Sequence, residues 1–285
     1  MEKRRLGRTE HQSSVAILGA AAFWDSTPGA TEVAFRRALD AGVNHLDVAP
    51  QYGRAQELVG PLIPAVRDQL FVGCKTLRAN PDGVRAQLEE SLGLLGCDFF
   101  DLYQLHAVTD LAELDRRAGA AEAILRAKEE GICRFVGITG HGLDTPATQR
   151  VALERYDFDT VMFPVNPRLW ADPQYRDDAE ALLEEARRRD VGVMAIKAGA
   201  ARPWADRSRT STTWYEPYTD LHGLRRGIEF ALSTPGVTGF CTPGDVAVQA
   251  DALEIASSIS AMDAEWRLRA IEETAGEAMI FPMPA

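Results

Sequence analysis

Short apolar runs of strand length alternate along this chain with amphipathic stretches of helical length, and the alternation repeats eight times. The runs fall at residues 14–20, 43–48, 70–75, 99–105, 134–139, 160–165, 192–197 and 237–242. Val193-Met194-Ala195-Ile196 is apolar at consecutive positions and leaves no face for water, as a strand covered on both sides of a parallel sheet must. Turn and cap residues mark the joins. Asn80-Pro81 and Thr145-Pro146 each set a capping side chain before a proline at the first helical position, where the missing N–H costs nothing. Gly42, Gly131 and Gly192 are expected to stop helices ahead of the next strand. Successive βα units predict an α/β fold, a (β/α)8 TIM barrel forming a single domain over residues 1–285. Residues around His11 to Ser13 read as part of a short hairpin under the barrel, with His11 itself at the surface. Asp263 reads as the cap of an extra C-terminal helix carrying Trp266, Leu268 and Ile271, followed by a tail at 279–284.

Charge and composition narrow the classes of function. With 42 acidic against 31 basic residues the formal net charge is −11, the wrong sign for binding phosphate backbones, so no nucleic-acid partner is expected. The one basic cluster, Arg187-Arg188-Arg189, stands beside Glu184, Glu185 and Asp190 and reads as a solvated helix end. No apolar run approaches the ~20 residues of a membrane span, and no apolar leader follows the charged start Met1–Arg8, so a cytoplasmic protein without a membrane role is expected. Cys74, Cys97, Cys133 and Cys241 lack metal-site spacing and read as small core hydrophobes; no metal is expected.

Candidate chemistry lies at the C-terminal ends of the strand-like runs, which share one rim in a parallel barrel. Asp47, Lys75 and His106 stand at or just after three consecutive run ends, and Tyr52 lies in the loop Ala49-Pro50-Gln51-Tyr52-Gly53. A lysine ending a buried strand needs a counter-charge, which Asp47 on the neighbouring strand can supply. The lysine in turn stabilises the anion of a nearby phenol, and a histidine next in line can hydrogen-bond a carbonyl oxygen. Together they describe a general acid delivering a proton to an oxygen that is receiving a hydride.

Asn44-His45-Leu46-Asp47-Val48-Ala49-Pro50-Gln51-Tyr52-Gly53, Lys75 and the run Asp98 to His106 resemble the aldo-keto reductase superfamily. So do Arg5-Leu6-Gly7-Arg8-Thr9, the join Gly131 to Thr139, and Asn166-Pro167. The resemblance implies a (β/α)8 barrel, a small-molecule carbonyl substrate, catalysis by Asp47, Tyr52, Lys75 and His106, and a nicotinamide dinucleotide bound without a Rossmann motif; no G-x-G-x-x-G is present. NADPH is the expected cofactor by family habit, with NADH possible because Asp245 opposes a second phosphate. Cofactor-binding residues carried over are Ala20, Thr139, Gly140, Met162, Lys197, Ala198, Gly199, Arg202, Thr242, Pro243, Gly244 and Asp245. The chain departs from the family where Gly140 and Met162 replace the usual carboxamide-binding asparagine and glutamine, leaving Thr139, His141 or backbone groups as substitutes. Lys197 and Arg202 are expected to offset pyrophosphate charge, and backbone amides after Thr242 to hold a further phosphate.

Substrate contacts are expected from Phe23, Trp24, Trp204, Trp214 and Tyr215, an aromatic set suited to a flat carbonyl compound or a sugar face. The 199–219 connection is long for a βα loop and reads as a lid. Two rival readings keep the barrel: a cofactor-sensing or scaffold protein with little turnover, and a lyase or epimerase that recycles a held cofactor.

Overall fold

A computed structural model of the chain describes residues 1–259 and 262–281. Its strands are β1 Lys3–Arg5, β2 Gln12–Ser14, β3 Ala16–Gly19, β4 His45–Asp47, β5 Phe71–Thr76, β6 Phe100–Leu105, β7 Cys133–Thr139, β8 Thr160–Pro164, β9 Gly192–Ile196, β10 Ala200–Arg202, β11 Glu216–Pro217 and β12 Val237–Cys241. Eight of them, β3 to β9 and β12, close into a parallel barrel with helices between successive strands, the (β/α)8 fold expected from the alternation. Register aligns the strand ends: Gly19 pairs with Asp47, Asp47 with Gly73, and Lys75 with Gln104.

Successive side chains on a strand face opposite ways. One set, including Ile17, Phe71, Leu102, Met162 and Met194, packs together with Leu6 inside the barrel. The other meets the helices in the larger core. Two residues beyond Phe71 and Leu102 the same inward set comes to Gly73 and Gln104, and four beyond to Lys75 and His106. The strand period therefore sends polar groups toward the axis as each strand reaches the rim.

Below the barrel, β1 and β2 pair as an antiparallel hairpin, with Lys3 opposite Ser14. His11, expected at the surface, is half-buried: its ring stacks on Phe71 with centroids 4.3 Å apart. Ser13 Oγ lies 2.9 Å from His45 Nδ1, so the hairpin also satisfies a buried imidazole. Asn80 caps the helix Pro81–Leu95, its side-chain oxygen accepting from Gly83 N at 2.8 Å.

Two local expectations are corrected. Thr145 is the first residue of its helix, not the cap; Asp144 flanks it, and the Thr145 methyl packs where a Gly140 side chain would stand. Gly192 stops no helix; it opens β9, and Asp190 in the left-handed region (φ 55°) ends the helix Pro173–Arg189, a conformation its short polar side chain tolerates. The arginines at that end pair with Glu184 and Glu185. On the C-terminal helix Ala264–Thr274, capped by Asp263, it is Ala270 and Thr274 that are buried, while Leu268 is 60% exposed. Of the expected tail, Ile280 and Phe281 are buried in the core, and residues 282–284 lie outside the described residues. The long connection after β9 holds a small antiparallel pair, Ala200 opposite Pro217. Among the described residues no helix is long and apolar enough to cross a membrane.

Candidate active site

Asp47 closes β4, Lys75 is the next-to-last residue of β5, and His106 follows β6, so three neighbouring strands deliver them to one rim. Tyr52 reaches that rim from the loop after β4, where Gly53 adopts φ 53° and any Cβ would overlap the Trp24 carbonyl oxygen. Lys75 Nζ donates to Asp47 Oδ2 at 2.5 Å and to the Tyr52 hydroxyl at 3.1 Å. Burial disfavours the charge on Lys75, but the Asp47 carboxylate outweighs it and holds the ammonium above its ordinary value. For Tyr52 the balance goes the other way: burial raises the phenol, the ammonium pulls it down, and burial prevails. Tyr52 therefore rests fully protonated, and the ammonium acts on whatever negative charge its oxygen acquires.

His106 is kept neutral chiefly by burial, with the positive charge of Lys75 adding to the effect. Its Nδ1 lies 3.2 Å from Gln51 Oε1. An amide oxygen only accepts, so in this arrangement Nδ1 carries the proton and Nε2 is an acceptor. A half-turn of the Gln51 amide reverses both roles. Beneath the rim, buried Arg117 donates to the carbonyls of His106 at 2.5 Å and Thr76 at 2.6 Å, tying the ends of β5 and β6 together.

A cavity of about 360 Å³ opens over this group. The structure brings to it the expected Asp47, Tyr52, His106, Lys197, Thr242, Gly244, Trp24, Trp214 and Tyr215. Lys75 sits just behind the wall. Trp24 and Trp214 meet edge to face at 5.7 Å, and Trp214 leans on Tyr52. The other expected contacts lie elsewhere. Phe23 is in the core, Met162 packs inside the barrel, and the Trp204 indole is buried against its own loop, donating to Thr213 O at 2.8 Å. Ala20 and Ala198 are buried without lining the cavity, and Gly199 and Pro243 do not line it either. The Thr139 hydroxyl accepts from Ala107 N at 3.1 Å, and Gly140 N donates to Met162 O at 3.1 Å, so both knit β7 to its neighbours. Gln51 and Cys241 line the cavity and were not expected there. Cys241 was read with the other cysteines as core, although its place at the end of the last barrel strand was itself a signal; burial pushes its thiol well up, beside Asp47.

Arg202, expected to offset cofactor phosphate charge, and Asp245, expected in the cofactor loop as a group opposing a second phosphate, are both engaged within the chain. Arg202 makes a two-pronged ion pair with Glu216, both distances 2.8 Å. Asp245 caps the helix Val246–Ser257, its Oδ1 accepting from Ala247 N at 2.9 Å and Val248 N at 3.2 Å. Its Oδ2 accepts from Thr212 N at 3.1 Å, fastening the long connection after β9. The ring end fits a nicotinamide better: the small residues Gly19, Ala21 and Gly244 line it, and among the described residues His141 Nδ1 is buried at the wall with no partner, a polar atom available to a carboxamide. Among the described residues no cluster of His, Cys, Asp and Glu is arranged to hold a metal ion.

A model of the aldo/keto reductase family matches residues 17–216. An uncharacterized oxidoreductase of Bacillus subtilis, YqkF, is 30% identical over 153 residues, 49% of this chain and 49% of that protein. The chain spans about half the length of the curated relatives it matches. An aldo-keto reductase of Bacillus halodurans in its holo form superposes with a TM-score of 0.74 at 19% identity, covering 96% of each chain. An aldo/keto reductase of Klebsiella pneumoniae in complex with NADP and acetate gives 0.71 at 19% identity, covering 99% of each. At that identity the two structures speak for the fold.

Proposed function

The chain belongs to the aldo/keto reductase family, and from that premise we propose that it reduces a small ketone or aldehyde to an alcohol, with Tyr52 as the general acid. The observation that carries this reading is the bridge made by Lys75 Nζ, 2.5 Å from Asp47 and 3.1 Å from the Tyr52 hydroxyl, at the wall of the cavity. A bound reduced nicotinamide dinucleotide supplies the hydride. Tyr52 gives its proton to the substrate oxygen, and the buried Lys75 ammonium stabilises the phenolate left behind. Asp47 keeps that ammonium charged in a site where burial opposes the charge. His106, held neutral, orients the carbonyl oxygen by donating from Nε2, the tautomer in which Nδ1 accepts from the Gln51 amide turned to present its NH₂. Trp24, Trp214 and Tyr215 cover the substrate.

Replacing Tyr52 by Phe removes one hydroxyl and leaves the aromatic wall. We expect turnover to fall by about 10²- to 10⁴-fold, the usual worth of a positioned general acid, while dinucleotide affinity measured by fluorescence quenching stays close to wild type. Undiminished turnover would overturn the assignment. A second reading, a dinucleotide sensor with little turnover, is favoured by the engaged state of Arg202 and Asp245; quenching without carbonyl-dependent oxidation of the reduced dinucleotide would support it. All four cysteines are free thiols, which suits the cytoplasmic location we assign.

A further inference from the structure

Arg117 lies at the break between the helices Leu111–Arg116 and Ala118–Glu129, and it is 1% exposed. Its one ion-pair contact among the described residues, with Glu113, is a long 3.8 Å. The guanidinium grips two backbone carbonyls instead, Nη1 donating to His106 O at 2.5 Å and Nη2 to Thr76 O at 2.6 Å. Burying an ion is costly, and an apolar side chain of similar length fills such a space at less cost. What the ion adds is geometry at the rim. Thr76 directly follows Lys75, and His106 carries the imidazole itself.

The same corner holds a strained backbone. Ala107 adopts φ 57°, a left-handed conformation that disfavours a residue with a Cβ and persists only where the neighbours over-determine it. Those neighbours are on two strands and the helix break. His106 N donates to Thr76 O at 2.8 Å, and Val108 N donates to Thr139 O at 2.8 Å. Ala107 N donates to Thr139 Oγ1 at 3.1 Å. The peptide unit joining His106 to Ala107 is therefore fixed at its nitrogen by Thr139 and at its oxygen by Arg117. Arg117 does not line the cavity, so its grip is made behind the wall, where neither substrate nor dinucleotide competes for it.

We propose that Arg117 is a positioning residue for the reduction: its two-pronged grip on the His106 and Thr76 carbonyls holds the imidazole in a single orientation beside the bridge of Lys75 and Tyr52. The proposal rests on the reductase reading for its effect on turnover, while its effect on the His106 ring is read without it.

Two variants of the full chain test this, each checked for native circular dichroism. Arg117→Lys keeps the buried charge and replaces the fork by a single nitrogen. Arg117→Gln keeps one amide donor and loses the charge. Long-range proton–nitrogen correlation spectra of histidine-labelled protein report the tautomer of each ring, and among the five histidines the His106 signals are identified by their loss in His106→Asn. The wild type is expected to show one neutral tautomer at His106 and the variants two, with the second more populated in Arg117→Gln. In assays of benzaldehyde, acetophenone and methylglyoxal with NADPH, kcat should fall about tenfold in Arg117→Lys and about 10²-fold in Arg117→Gln. The KM for NADPH, and the number of NADPH sites counted by fluorescence quenching, should stay close to wild type. An unchanged His106 spectrum in Arg117→Lys overturns the proposal, even where Arg117→Gln fails to fold. So does a wild-type ring already shared between tautomers. A fall in turnover matched by a loss of NADPH sites would assign Arg117 to the fold alone and overturn it as well. A wild type that turns over none of these carbonyl compounds counts against the reductase reading, and the ring spectra still decide on Arg117.

Discussion

Lys75 is the residue whose neighbours have most to lose. It is 1% exposed and holds together a carboxylate and a phenol that come from different parts of the chain. Lys75→Met would leave Asp47 as a buried charge without a partner, a change that costs about 3–5 kcal/mol in comparable cases. Urea denaturation should register a loss of that size. The double variant Lys75→Met with Asp47→Asn should recover much of it, because the coupling between the two belongs to the pair. The four rim residues were legible because each ends a strand-like run or lies in the loop beyond one, and position within a βα unit is a local property. Gln51 was not, although it adjoins Tyr52: its role depends on meeting His106, 55 residues away in sequence.

At the level of elements, the helix Val246–Ser257 and the connection after β9 share one carboxylate. Asp245 caps the helix and receives Thr212 N from the connection. Asp245→Ala should lower stability by about 1 kcal/mol through the lost cap, and hydrogen exchange should quicken at the Thr212 amide. It also frees helical amides and removes a negative charge, so the affinity ratio of NADPH to NADH should rise by about tenfold; an unchanged ratio would place the 2′-phosphate away from this helix. Barrel strand positions were legible to within two residues because apolar runs and turn residues are written locally. Element ends were less so. Asp190 ends its helix by turning into the left-handed region, while Gly192, already in β9, is glycine because Leu6, arriving from the N-terminal hairpin, fills the space a side chain would need.

For the molecule as a whole, the histidines set a limit on acid stability. Burial lowers His11 to about 4 and His141 to about 3, and holds His45 and His106 well below the ordinary value of 6.5. A folded-state value below the unfolded one means that the unfolded chain binds protons first, so stability is full above 6.5 and falls as pH drops toward the folded values. The urea midpoint should therefore decline steadily between pH 6.5 and 4. His11→Gln should remove about 1 kcal/mol of that loss at pH 5, a figure reduced because the ring is only partly covered. A flat stability profile over that range would count against neutral histidines under the barrel and at its rim. The sequence by itself determined the eightfold alternation and the rim to which acid, phenol, ammonium and imidazole are delivered, since both follow from the order of short elements and from position at the strand ends. Tertiary structure alone decided which charges are spent and which are free. Arg202 finds Glu216, Asp245 finds Thr212, and Lys197 lies over the face of Tyr215 with no ion pair among the described residues, because ion pairing is set by distance through space.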